Sequence, residues 1–459
     1  MESVAGLPGS ARNDHRQGDS RHGEALPARR QQDDGLVAAA ERIEQLKLHV
    51  RRRRLRSGLT LLAAQTRAAP TLAVACSFEI NQLNERPQDA GIANLVGDTL
   101  DEGTERWSGD ELAELVEGLG GYLRVGANGA ALQVAAHDAK QAVAILKEVA
   151  LRPKFPAKAF RRARALTISD LESELDDPRA VAGKRFRALV YGDHPYAREP
   201  KGSIETLDSL TPAKLKRFHE KWYTPDNALC VAVGAEDPEA LLDLLEKTFK
   251  SWKGEVAPVS EAPELLRPNG VVAEHIVYDR AQVQVFLGHA GIRRSHPDYY
   301  RLMVMDHVLG TGPGFTSRIA RSLRDEQGLC YAVGAGITGS AGREPGMFQA
   351  YIGTSPGQEE TAIDGFLTEM RRIRMESPTE PELADVKAYL TGSYVWAMER
   401  NANLANFLVR AERFDLGDDF VERFPDFVNS VTVDEVRAVA EEHLDPDNYY
   451  LVTLGPKAA

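Results

Sequence analysis

Long apolar runs are missing from this 459-residue chain. None approaches the roughly 20 residues that a helix needs to cross a bilayer, so no membrane span is expected. Cysteine is scarce. Cys76, Cys230 and Cys330 show no CxxC spacing, which excludes a disulfide framework and points to buried thiols in a reducing compartment. Basic charge is short as well. A net charge of −12 excludes a general nucleic-acid binder, which needs a basic face. The 11 histidines include no pair four residues apart, so neither HExxH nor HxxEH occurs. Gly310-Thr-Gly-Pro-Gly314 is not followed by Gly-Lys-Ser/Thr. It therefore reads as a loop between helices and not as a phosphate-binding loop.

What remains has the composition of a globular protein, 43% hydrophobic and 27% charged. The length is too great for one ordinary core, so two or more domains are expected. Residues 1–35 almost lack large apolar side chains and read as a disordered tail. They carry no apolar stretch of a secretory signal and too many acids for a transit peptide, which makes a cytoplasmic location the default. Residues 36–50 show helical periodicity, and Arg51–Arg54 reads as a solvated face or a dock for an acidic partner. Strands are expected at 55–62, 71–80, 123–136 and 226–234. Helices are expected at 90–100, 108–119, 139–150, 157–175, 180–191 and 236–250. Pro258, Pro263 and Pro268 mark 254–270 as a linker. Beyond it the order recurs, with strands at 283–289, 332–338, 347–353 and 449–454. Helices lie between them at 296–309, 315–326, 357–374, 380–398, 418–428 and 432–443. The recurrence predicts an α+β fold of two homologous domains, 36–253 and 271–459, each a sheet with helices packed on it.

Residues 90–104 read Ala-Gly-Ile-Ala-Asn-Leu-Val-Gly-Asp-Thr-Leu-Asp-Glu-Gly-Thr. This segment resembles G-x-A-H-F-L-E-H-x-L-x-x-G-T, the zinc-binding stretch of the pitrilysin/insulinase-type peptidases. Gly91, Ala93, Leu100, Gly103 and Thr104 match. Asn94, Gly97 and Asp98 stand where the family has His, Glu and His. Further similarities run in order along residues 50–457. They include Gly118-Leu-Gly-Gly121, Asp176-Asp-Pro178, Tyr191-Gly-Asp-His-Pro195, Lys201-Gly-Ser203, Trp222-Tyr-Thr-Pro-Asp-Asn227 and Leu323-Arg-Asp-Glu-Gln-Gly-Leu-Cys-Tyr-Ala-Val333. The resemblance implies the pitrilysin-like fold, with a mixed, mainly antiparallel sheet in each domain. In that family two His on one helical face bind zinc, the Glu between them activates the metal-bound water, and a distant carboxylate completes the shell. Here the spacing of Ile92, Leu95, Val96 and Leu100 fits a helix, so Asn94 and Asp98 share a face. Asn is a poor replacement for imidazole, and Gly97 supplies no base. The family's downstream carboxylate falls at Asp170, with Glu172 as the alternative. The resemblance therefore implies no catalytic residue and no metal in this chain. An oxygen-only Mg²⁺ or Ca²⁺ site on Asn94, Asp98 and Asp170 is the lesser reading.

Some members of the family divide the work between two chains, one bearing zinc and its partner lending an Arg and a Tyr. Arg324 and Tyr331 resemble that pair. Both side chains donate hydrogen bonds suited to a peptide carbonyl or a developing oxyanion. On this reading the chain is a silent subunit that binds peptide and completes the site of an HxxEH-bearing partner, where zinc is expected. The alternative is a structural or scaffold subunit of a larger complex, with Arg324 merely pairing with Asp325 or Glu326.

Overall fold

The computed structural model describes residues 48–66, 69–259, 261–312 and 316–456. Two sheets organise it. The first contains β1 (Val50–Arg54), β2 (Thr60–Gln65), β3 (Thr71–Phe78), β4 (Tyr122–Gly126), β5 (Gly129–Ala135) and β6 (Ala228–Gly234), in the order β1-β2-β6-β3-β5-β4. The second contains β7 (Val272–Val277), β8 (Val283–Ala290), β9 (Cys330–Gly336), β10 (Met347–Thr354) and β11 (Tyr450–Gly455), in the order β7-β11-β8-β10-β9. In each sheet one pair is parallel, β2 with β6 and β7 with β11. The other ladders are antiparallel. With β1 set aside, the two sheets have the same strand order and the same sense at every pairing. The chain is a duplicated α+β unit, as its recurring pattern predicts.

β6 and β8 are buried along their whole length. A strand covered on both faces reads as a continuous apolar run, and the second cover here comes from the other half of the chain. The helix Pro178–Tyr191 leaves its own half to lie across β8 and β11, burying Ala182, Phe186 and Val190 against Phe286, Val452 and Leu454. The Phe186 and Phe286 rings stack with centroids 5.9 Å apart. Reciprocally, the helix Asn401–Arg413 lies across β3 and β6, burying Leu404, Ala405 and Leu408 against Leu62, Leu229 and Val231. Polar contacts fix the exchange. Asn401 Nδ2 donates to the Thr71 carbonyl at 2.8 Å, and Arg413 Nη2 donates to the carbonyls of Ser77 at 2.7 Å and Asn227 at 2.9 Å. Remaining helices, among them Ala139–Leu151 and Glu359–Met375, cover the opposite faces and enclose the two larger cores.

Several elements differ from the sequence reading. The tail expected at 1–35 and the first part, 36–47, of the helix expected at 36–50 lie outside the described residues. Val50 is not helical, because it opens β1. Arg51–Arg54 is an edge strand whose acidic partner belongs to the same chain. Arg53 donates to Asp243 at 2.8 Å, Glu246 at 2.6 Å and Glu239 at 3.0 Å, all on the helix Pro238–Phe249. The single strand expected at 123–136 is a hairpin, β4 and β5, turned at Ala127–Asn128. The helix at 296–309 is shorter, Tyr299–Asp306, and widens into a π-helical turn over His307–Thr311. Cys76 and Cys230, scattered in sequence, are register partners across β3 and β6 with Sγ atoms 3.1 Å apart, both free and buried.

Candidate functional site

The helix carrying Asn94 spans only Ile92–Gly97, with Asp98 as its C-cap. It begins at Gly91, whose φ of +89° and close contact with the Lys201 carbonyl tolerate no side chain. Gly202 packs back on the Ala90 carbonyl in the same way, so the 90–91 and 201–202 backbones touch. That contact delivers Lys201 to the helix. The orphan amides of its first turn are taken by a side chain from upstream. Glu85 accepts from Ala93 N at 2.9 Å and from Gly91 N at 3.3 Å. Burial raises the Glu85 carboxyl to about 7, against the lowering effect of those two amides.

One turn apart on one face, Asn94 Nδ2 donates to Asp98 Oδ2 at 2.7 Å. Burial raises the Asp98 carboxyl above its ordinary range, while Asn94 and the nearby Lys201 ammonium pull it down and Asp170 pushes it up. Lys201 Nζ itself pairs with Asp170 Oδ2 at 3.3 Å and Glu174 Oε1 at 3.0 Å. The structure thus brings Asp98, held by Asn94, within electrostatic reach of the Lys201 ammonium that pairs with Asp170. Glu174, which the sequence reading passed over, joins them from the helix Ala157–Leu175 and also pairs with Lys184. The spacing of 170 and 174, one helical turn, was the available signal. The alternative residue, Glu172, lies on the same helix and is exposed.

Gly97 is more than a missing base. A Cβ built there lies 2.2 Å from Ala127 N and 2.3 Å from the Gly126 carbonyl carbon, so the β4–β5 turn fills the space a side chain would need. The residues present do not fit zinc. Asn94 spends its amide on Asp98, a lysine already neutralises the carboxylates, and no base can stand at 97. Mg²⁺ or Ca²⁺ fares no better, because Lys201 supplies the positive charge that such an ion would bring. Asn94 and Asn128 line a small cavity of about 180 Å³. It shares Ile80, Asn81 and Ala127 with a cavity of about 650 Å³ between the two halves, lined by Arg124, Arg343, Arg410 and Arg413 together with Glu79, which pairs with Arg343 and Arg413.

Arg324 and Tyr331 belong to the second half. Arg324 lies on the π-helical turn Ala320–Glu326, anchored by the fully buried Leu323. The turn closes through Leu329 N–H to the Leu323 carbonyl at 2.9 Å and Gly328 N–H to the Arg324 carbonyl at 3.2 Å. Arg324 Nη1 pairs with Asp325 at 3.1 Å. Tyr331 stands on β9, the edge strand of its sheet, and is 84% exposed. The β9–β10 register shifts there, because Cys330 pairs with Thr354 and Val333 with Ile352. Tyr331 and Ala332 thus oppose Gly353 alone in a β-bulge, a device that re-aims a side chain out of the ladder.

The chain is thus a pair of duplicated α+β units, each shielding the other's sheet, with Asn94, Gly97 and Asp98 on one short helical segment of the first. Comparison with known proteins gives the family. The family model described as Insulinase (Peptidase family M16) matches residues 61–199, and that described as Peptidase M16 inactive domain matches 209–390. Together they span well over half of the chain, which belongs to this family. A protein of Mycobacterium tuberculosis described as an uncharacterised zinc protease is 26% identical over 413 residues, 88% of this chain and 93% of its own. Among solved structures, a peptidase M16 inactive domain from Pseudomonas fluorescens superimposes with a TM-score of 0.82 at 26% identity, covering 90% of this chain and 99% of that one. A protease from Helicobacter pylori shares the fold, with a TM-score of 0.82 at 18% identity over 89% of this chain and 100% of that one. No helix among the described residues is long and apolar enough to cross a membrane.

Proposed function

We propose that this chain is a catalytically silent subunit of a two-chain zinc peptidase. Arg324 and Tyr331 complete the site of an HxxEH-bearing partner and hold the peptide. The observation that carries the reading is Tyr331, an aromatic side chain 84% exposed at a bulge on an edge strand. A solvated phenol gains nothing for the fold, yet the bulge holds it out from the ladder. Arg324 lies seven residues upstream, on the helical turn that leads into this strand. Its planar, permanently charged guanidinium donates in a fixed geometry to the peptide carbonyl beside the scissile bond or to the oxyanion that forms from it. The relatives described as zinc proteases support the peptidase setting, and the family description "inactive domain" supports pairing with an active member. In this reading the domains are 36–253 and 271–459, joined by the 254–270 linker. The first supplies chamber wall, and selection of the peptide rests on the shape and charge of that wall. The cytoplasm is the compartment proposed.

The test is co-purification with the partner from the native cell, followed by peptidase assays with Arg324→Ala and Tyr331→Phe. Loss of turnover by about 10²-fold or more with assembly intact, the range seen on removing one oxyanion donor, is the expected result. Full turnover with both changes in place would turn the assignment to a scaffold role.

A further inference from the structure

We propose that His296, Asp298 and His443 form a binding site for a divalent transition ion of the Zn²⁺ class, in the second half of the chain and apart from the erased helix. The three residues come from two segments far apart in sequence. His296 and Asp298 lie in the loop entering the helix Tyr299–Asp306, and His443 is the last residue of the helix Val433–His443. One ligand atom from each lies within 4.8 Å of the other two. His443 Nε2 is 3.1 Å from Asp298 Oδ2, and His296 Nδ1 is 3.8 Å from the same oxygen. Tetrahedral ligands about 2.0–2.1 Å from a zinc ion stand roughly 3.3 Å apart, so the set needs only small adjustments to close on one. The two imidazoles meet edge to face, with centroids 4.9 Å apart at 88°.

The surroundings favour a built site over a chance pair. Arg301 Nη1 holds Asp298 Oδ1 at 2.8 Å, and Glu435 in turn holds Arg301 Nε at 3.1 Å. This relay fixes the carboxylate and leaves Oδ2 turned toward the imidazoles, as outer partners do around metal ligands. His296 Nδ1 accepts the Asp298 N–H at 3.2 Å, so this nitrogen is unprotonated, and an ion would take its one lone pair in place of that hydrogen bond. Two imidazoles and one carboxylate suit Zn²⁺ and its neighbours, and not Mg²⁺ or Ca²⁺, which take oxygen. Exposure is graded, with the His443 side chain 8% exposed and that of His296 34%. The fourth position therefore opens to water. An ion at the end of Val433–His443 also meets the negative pole of that helix. It staples the helix to the loop before Tyr299–Asp306 and so braces the core of the second half.

The experiment uses the full chain in a His15→Gln/His22→Gln background, which removes histidines outside the described residues. The protein is stripped with chelator and titrated with Zn²⁺ against a chromogenic competitor. Co²⁺ is added separately to read the visible spectrum of a tetrahedral complex. One tight equivalent, an upward shift of Tm with Zn²⁺ but not with Mg²⁺, and at least tenfold weaker binding in His296→Ala are expected. His296 is the most exposed of the three, so this variant keeps the fold, with circular dichroism as the check. Asp298→Asn serves as the second variant. No tight equivalent in the parent, or an equivalent that survives both substitutions, overturns the assignment.

Discussion

Asn94, Gly97 and Asp98 stand where the resemblance places His, Glu and His, and their surroundings oppose a return to those residues. Restoring the ligand types one by one meets two obstacles that the sequence hides. A glutamate at 97 drives its Cβ into the Gly126–Ala127 backbone, and Lys201 stays on Asp170 and Glu174 to repel a cation. The triple change Asn94→His, Gly97→Glu, Asp98→His is therefore expected to yield no peptidase activity above background and a lowered Tm. Overpacking alone costs about 1–3 kcal/mol. A metal-dependent gain of cleavage would refute this account. Glu85 offers a second test. Its carboxyl is raised from an ordinary value near 4.5 to about 7 by burial, so the folded state keeps its proton where the unfolded chain has lost it. Stability from this residue is full below about pH 4.5 and falls by on the order of 2–3 kcal/mol as pH rises through 7. His219 and His289, each lowered to about 4 chiefly by burial, act oppositely, losing stability as pH falls below 6.5. The difference between parent and Glu85→Gln isolates the first effect. Urea midpoints measured from pH 5 to 8 are expected to converge on the acid side and favour the variant on the alkaline side.

Elements with strong periodicity were legible in the sequence, and those serving the other half of the chain were not. Thr71–Phe78, Ala139–Leu151 and Val433–His443 follow the apolar pattern closely. β7 escaped because its side chains are mostly exposed and its sequence, VAEHIV, is mixed. Its identity as a strand comes from the parallel ladder with β11, far along the chain. The helix Asn401–Arg413 escaped although Leu404, Ala405, Leu408 and Ala411 keep helical spacing. Pro212–Trp222, too, had its signals in Thr211 as cap, Pro212 at the first position, and Leu215, Phe218 and Trp222 on one face. Of the site, the departures from the family pattern at Asn94, Gly97 and Asp98 could be read from the sequence. The lysine at its centre could not, because Gly91 and Gly202 bring Lys201 in by backbone contact. The bulge at Tyr331 also depends on a ladder that no local pattern records. At this scale Phe186 gives the sharpest prediction. It is fully buried between the halves and stacked on Phe286. Phe186→Ala is expected to cost about 3–5 kcal/mol in chemical unfolding. A cost below about 1 kcal/mol would mean that the exchanged helix contributes little.

Taken whole, the molecule closes on itself by exchange. Each half contains a complete sheet and one large core, which by itself suggests two independent domains on a linker. The covers contradict independence. Without Asn401–Arg413, the buried faces of β3 and β6 would meet water. Without Pro178–Tyr191, the same would hold for β8 and β11. Exposed apolar sheet of this kind aggregates, and the carbonyls of Ser77 and Asn227 would also lose the Arg413 guanidinium. Halves covered in this way are expected to move as one body, so in the proposed two-chain peptidase the chamber opens between this chain and the proposed partner. The prediction is that fragments 1–253 and 271–459, expressed separately, are insoluble or bind a hydrophobic dye. Co-expressed, they are expected to recover a soluble complex with the circular dichroism of the parent. Two fragments that each fold alone with cooperative unfolding would show that the covering helices are dispensable. The chamber would then be free to open by movement between the halves of a single chain.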